Sequence, residues 1–139
     1  MKITLKRLDD AFHLEAVNED GCKIETDGAP KIGGSNKGMR PMQLLLAAAG
    51  SCSSIDIILI LKKQKQNLKD LEVEVTAERE QGKVPSLYSD IHIHFKLFGD
   101  ILDVKAKRAV DLSVEKYCSV IKILEKTAKV TSSYEIIEA

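Results

Sequence analysis

Residues 39–63, MRPMQLLLAAAGSCSSIDIILILKK, constrain the fold more than any other stretch of this chain. Between Arg40 and Lys62 the single charge is Asp56, and the sequence GSCSSI at 50–55 interrupts the apolar run. Residues 44–61 are marginally long enough to span a bilayer. Asp56 near their centre would cost roughly 2.5–3.5 kcal/mol on insertion, and the serines and glycine add to that. The flanking segments are charged and amphipathic, as in a soluble protein. The stretch therefore reads as a helix over about 41–65, apolar on nearly all sides. Such a helix must be buried by protein, in a core or a subunit interface.

The rest of the composition narrows the function classes. A chain of 139 residues reads as one domain, 1–139. Its 21 basic residues balance 21 acidic ones, which gives no electrostatic footprint for nucleic acid or an anionic membrane. With no Trp, three Tyr and three Phe, base-stacking platforms are not expected either. The N-terminus, MKITLKRLDD, lacks an apolar signal region, so a cytoplasmic location is the expectation. Cys22, Cys52 and Cys118 are far apart and form no CxxC pair, which argues against a zinc motif or a thioredoxin-type site. They are expected as reduced thiols unless a pair is redox-active.

Periodicity predicts the elements. KITLKRL, AFHLEAV and CKIETD read as strands separated by turns at Asp9-Asp10 and Glu19-Asp20-Gly21. GAPKIGGSNKGMR (28–40) reads as a loop, and Pro41 suits the first helical position. Two period-2 strands follow, with Leu71, Val73 and Val75 on one face, and Ile91, Ile93, Phe95 and Leu97 on another. From Asp103 the period is helical, with a break near Tyr117, a second short helix and a terminal strand VTSSYEIIE. The order β-β-β-α-β-β-α-α-β indicates an α+β fold.

Five positions invite chemistry. Cys52 shares a helical face with Leu44, Ala48, Ile55 and Leu59; a free cysteine there is commonly a small buried hydrophobe. The small residues of AAAGSCSS (47–54) open the backbone to close approach, and Gly50 costs about 1 kcal/mol in a helix, which calls for compensation. Asp56 reads either as a carboxylate satisfied by a backbone N–H or a loop cation, or as the partner of Arg40 or a lysine near the thiol. Cys118 falls at a helix start, where N–H groups and the dipole lower a thiol pKa; the other reading is an inert cap. Cys22 has no such features. His92 and His94 share one strand face, which reads as a solvated or interface side rather than a metal site.

GMRPMQLLLAAAGSCSSIDIILILKK resembles the central-helix motif of the OsmC/Ohr family of bacterial redox proteins, in which a cysteine follows the proline by eleven residues, as Cys52 follows Pro41 here. REQGKVPSLYSDIHIHFKLFG is similar to the family's hairpin, and AVDLSVEKYCSVIKIL to its second-cysteine segment. These blocks cover about 100 of the 139 residues in order, and look closest to the branch with the RPM motif. The resemblance implies antiparallel sheets around a long buried central helix in an intertwined homodimer. It also implies thiol-dependent reduction of a small-molecule hydroperoxide. Cys52 would be the peroxidatic thiol and Cys118 the resolving one. An external dithiol would regenerate them, a role that lipoyl groups fill in the family's hydroperoxide reductases. The implied chemistry needs no cofactor, and the sequence offers no evident site for metal, haem or flavin.

The chain departs from the family in two respects: the glutamate after the proline is missing, and the activating arginine, which an early strand supplies in the hydroperoxide reductases, has no counterpart aligned at Arg7. Where the hydroperoxide reductases carry a glutamate after the proline, this chain has Met42, and the RPM branch's glutamate is replaced by Gln43. That glutamate pairs with an arginine that activates the thiolate. Arg40, at the mouth of the helix, is the candidate for it, with Gln43 as an amide partner for the guanidinium and Asp56 as a substitute carboxylate. Two other readings stand beside the peroxidase. One is a non-catalytic dimeric protein that binds an apolar or thiol ligand; the other is a cysteine hydrolase using Cys52 with His92 or His94 as base.

Overall fold

The computed structural model describes all 139 residues, in two compact units, Met1–Leu45 and Leu46–Ala139. The first unit carries an antiparallel sheet of β1 (Thr4–Arg7), β2 (Leu14–Val17) and β3 (Lys23–Thr26), in that order. The strands are shorter than their alternating patterns because the turns recruit flanking residues. Asp9 Oδ1 accepts the N–H groups of Ala11 and His13, and Asn18 Oδ1 those of Asp20 and Cys22. Both are the local side-chain bonds that make Asp and Asn turn residues. Leu5, Ala16 and Ile24 stand in one row across the sheet. Ala16 is buried, but Ile3, Leu5 and Ile24 are each more than half exposed.

The glycine-rich segment after β3 is wound around Asp27, which is buried. Its Oδ1 accepts the Gly28 N–H at 2.7 Å, and its Oδ2 accepts those of Ser35 at 3.2 Å and Lys37 at 3.1 Å. Burial pushes this carboxyl's pKa up, but the N–H bonds from Lys37, Gly28 and Ser35 outweigh it, and the pKa lies below its ordinary value. A Cβ on Gly34 would fall 1.8 Å from the Gly28 carbonyl oxygen, so only glycine allows the loop to close on itself. Pro30–Ile32 forms a 3₁₀ turn that the loop composition did not announce.

The second unit holds most of the long helix α1 (Pro41–Lys63) and a sheet of β4 (Asn67–Arg79), β5 (Tyr88–Asp100) and β6 (Lys129–Ile137), in that order. The expected apolar rows meet in register: Leu71 faces Leu97, Val73 faces Phe95, and Val75 faces Ile93. The β5 members, Ile91 to Leu97 on alternate positions, are buried. α1 lies close on this face. A Cβ on Gly50 would sit 3.1 Å from Val75 Cγ2 and 3.6 Å from Val73 Cγ1, so the missing side chain is what admits β4. Packing at that distance is the compensation for placing glycine in a helix.

α1 is covered by its own chain on one face: Ala49, Gly50, Ser53, Ile57 and Leu61 are buried, whereas Ile55 is 57% and Leu59 51% exposed. The sheet offers the helix a single face, so the row at steps of four from Ala49 is covered and the opposite one is not. One expectation needs correction: not all strands are antiparallel, since β6 runs parallel to β5. Parallel neighbours need a crossover. α2 (Asp103–Leu112), a π-helical turn at Ser113–Tyr117 and α3 (Ser119–Leu124) supply it. The break expected near Tyr117 is that π turn.

Candidate functional site

The site lies within the second unit, where the end of the π turn meets α1. The N–H of Cys118 donates to the Ser113 carbonyl, five residues back, at 2.8 Å. That bond ends the π turn and leaves Cys118 extended, as the N-cap of α3. Its Sγ accepts the Ile121 N–H at 3.5 Å, and the residue is fully buried. Cys52 and Asp56, one helical turn apart on α1, are half-buried. The two Sγ atoms and a carboxylate oxygen of Asp56 all lie within 4.8 Å of one another.

The electrostatics of Cys118 reverse the expectation from its place at a helix start. Burial pushes its thiol up to about 11; the neighbouring Cys52 pushes the same way, and the N–H groups of Ile121 and Val120 only partly oppose it. One weak N–H···S bond on a six-residue helix does not offset the loss of water around a thiolate. Cys118 is held as a thiol.

Asp56 is satisfied by neither partner expected for it. Its Oδ2 accepts a hydrogen bond from the Ser113 hydroxyl at 3.1 Å, a hydroxyl shared with the Ser53 carbonyl at 3.0 Å. Ser113 thus joins the π turn to α1 by side chain while its carbonyl anchors Cys118. Nothing in the sequence singled it out but its place as a serine between the apolar residues Val110 and Val114, five residues before a cysteine. Asp56 also lines an open cavity of about 510 Å³, together with Leu59, Lys63, Arg108 and Tyr117. Gln64 lines it as well, and Gln64 Oε1 is buried without a hydrogen-bond partner.

Arg40 and Gln43 belong to the first unit and are engaged with each other differently than expected. The Arg40 guanidinium donates to Asn36 Oδ1 and to the Gly38 carbonyl, each at 2.9 Å. Gln43 Oε1 accepts the backbone N–H of Arg40 at 3.0 Å, half of a capping box at the start of α1. Gln43 therefore caps the helix and does not bind the guanidinium. Cys22 is exposed beside its turn.

The histidines lie on the other side of the sheet. His92 bonds Thr131 and Ser133, and His94 bonds Ser133 and Glu135, at 2.7–3.2 Å, forming a polar ladder along the β5–β6 pair. Their neighbours Ile91, Ile93 and Phe95 point into the core, against which α1 packs. A hydrolase with His92 or His94 as the base for Cys52 is excluded by that alternation.

Residues 34–133 match the family model described as OsmC-like protein. The chain is 44% identical over 120 residues to Protein YhfA of Escherichia coli K12, covering 86% of each chain. A hypothetical protein from Aquifex aeolicus VF5 superposes with a TM-score of 0.85 at 31% identity, covering 99% of this chain and 96% of that one. At 18% identity, an organic hydroperoxide resistance protein OsmC from Legionella pneumophila shares the fold, with a TM-score of 0.72 and 97% of both chains covered. A family match over this much of the sequence, carrying both cysteines within it, decides the matter: the chain belongs to the OsmC-like family.

Proposed function

We propose that this protein is a thiol peroxidase that reduces organic or inorganic hydroperoxides through Cys52 and Cys118, in defence against oxidative stress. The observation that carries the reading is the pair itself: one half-exposed and one fully buried sulfur, no more than 4.8 Å apart. Cys52, the accessible partner, attacks the peroxide oxygen as thiolate. The O–O bond breaks, the alcohol (or water) leaves with the hydroperoxide's proton, and the Cys52 sulfenate takes up from solvent the proton lost on forming the thiolate, giving a sulfenic acid. The Cys118 thiol then displaces water from that sulfenic acid to form a disulfide. An external dithiol, such as a lipoyl group, reduces the disulfide by two exchanges and is itself oxidised. Fold-level kinship with organic hydroperoxide resistance proteins supports a redox role.

On this reading the chain is a single functional domain, 1–139, acting in the cytoplasm as an intertwined homodimer. Arg40 and Gln43 shape the mouth of the helix that bears Cys52. The test is turnover of a hydroperoxide with a dithiol, followed by peptide mass spectrometry. Cys52→Ser abolishes turnover, and one equivalent of peroxide links Cys52 to Cys118 in the wild type. Oxidised protein without a 52–118 disulfide refutes the two-cysteine mechanism.

One observation favours a non-catalytic protein that binds an apolar or thiol ligand. The Arg40 guanidinium is bonded to an amide and a carbonyl, with no carboxylate partner. Inactivity toward several peroxides and dithiols, together with a co-purifying small molecule, selects that alternative.

A further inference from the structure

We propose that Cys52, Asp56 and Cys118, in the reduced protein, form a binding site for a thiophilic divalent cation of the Zn²⁺ class. The sequence shows no zinc spacing, but the fold assembles what spacing could not reveal. Two sulfurs and a carboxylate oxygen, from α1 and from the head of α3, already lie within 4.8 Å of one another. Zn–S bonds near 2.3 Å and Zn–O bonds near 2.0–2.2 Å place tetrahedral donors roughly 3.4–3.8 Å apart, so a small side-chain adjustment closes the set.

The donor set selects the metal. Two thiolates disfavour Mg²⁺ and Ca²⁺, which take oxygen ligands, and a mixed sulfur–oxygen tetrahedron suits Zn²⁺. A dication offsets two of the three negative charges that two thiolates and a carboxylate bring together, and a coordinating thiol is deprotonated outright. Asp56 is oriented as metal-binding carboxylates usually are, by an outer hydrogen bond, here from the Ser113 hydroxyl. It also borders the open cavity, where the unpartnered Gln64 Oε1 is a ready acceptor for an ordered water. Three protein donors leave the fourth tetrahedral position to a small molecule, and of the three Asp56 alone lines the open cavity. Bound metal would hold both sulfurs and shield them from oxidants; loss of either thiol to a disulfide would dissolve the site.

The test uses the full chain, reduced and stripped with a chelator, titrated with Zn²⁺ against a chromophoric competitor and, separately, with Co²⁺. One equivalent binds per chain, and the Co²⁺ complex shows a thiolate-to-metal charge-transfer band in the near ultraviolet. Cys52→Ser and Cys118→Ser each remove that band. Asp56→Asn, which preserves shape and fold, weakens Zn²⁺ binding by at least about tenfold; Cys22→Ser leaves it unchanged. A Co²⁺ complex lacking the band, or equal Zn²⁺ affinity in the Asp56→Asn variant, overturns the proposal. Peroxide turnover is measured on the stripped protein, so that turnover without metal binding sinks this site alone, and metal binding without turnover sinks the peroxidase alone.

Discussion

At the scale of single residues, Cys118 and Asp27 show opposite resolutions of the same conflict between burial and hydrogen bonding. Cys118 loses it: desolvation dominates, and Cys52 adds to the upward push. Replacing Cys52 by alanine in metal-free protein removes only the second contribution. The midpoint for alkylation of Cys118 therefore falls from about 11, yet stays above that of an ordinary thiol. An iodoacetamide pH profile of the two proteins checks both halves of that statement. Asp27 wins it, because the N–H donors of Lys37, Gly28 and Ser35 converge on one carboxylate. Its pKa is depressed in the folded chain, so its contribution to stability is present above the ordinary carboxylate range and is lost as pH falls through the folded value. Amide protection of Gly28, Ser35 and Lys37 should collapse together in acid, below pH 4 and not at it. In Asp27→Asn that pH dependence disappears. Exchange measured by NMR decides it.

At the scale of elements, Gly50 is the hinge of the argument. The contact with Val75 leaves no room for a larger side chain. Gly50→Leu gains under 1 kcal/mol of helix propensity but overpacks the α1–β4 contact by about 1–3 kcal/mol. The net loss is readable as a lower urea midpoint at constant slope. Most elements were legible because period 2 and period 3.6 are written in their apolar residues: Leu71 to Val75, Ile91 to Leu97, and Ala109, Val110 and Val114, although Val104, expected in the same stripe, is 69% exposed and Ala106 takes its place. The place of Cys52 among small residues on an oily helix was legible too. What stayed hidden is long-range. Nothing in VTSSYEIIE says which edge β6 joins or in which direction, because both pairings satisfy the same alternation. Nor does any residue of SVEKY announce a π turn, although that turn decides where the second sulfur points. The meeting of Ser113 with Asp56 was beyond sequence for the same reason, as neither residue carries a local pattern that names the other.

At the scale of the whole molecule, the apolar surface left bare by the single chain is the dominant feature. Ile55, Ile58 and Leu59 on α1, and Ile3, Leu5 and Ile24 on the first sheet, are exposed. Exposed apolar rows of this kind, taken on each unit by itself, are candidates for association. Under the dimer proposal these residues are covered by a second copy, and Leu59→Lys with Ile55→Lys shifts sedimentation equilibrium from dimer toward monomer. A doubly substituted protein that remains fully dimeric contradicts the assignment of α1 to the interface. The uncovered row on β1 and β3 carries a further implication. If a second copy supplies the cover for Leu5 and Ile24, the first unit gains part of its stability only on association. Its thermal midpoint would then climb with protein concentration, and dilution alone would loosen the first 45 residues.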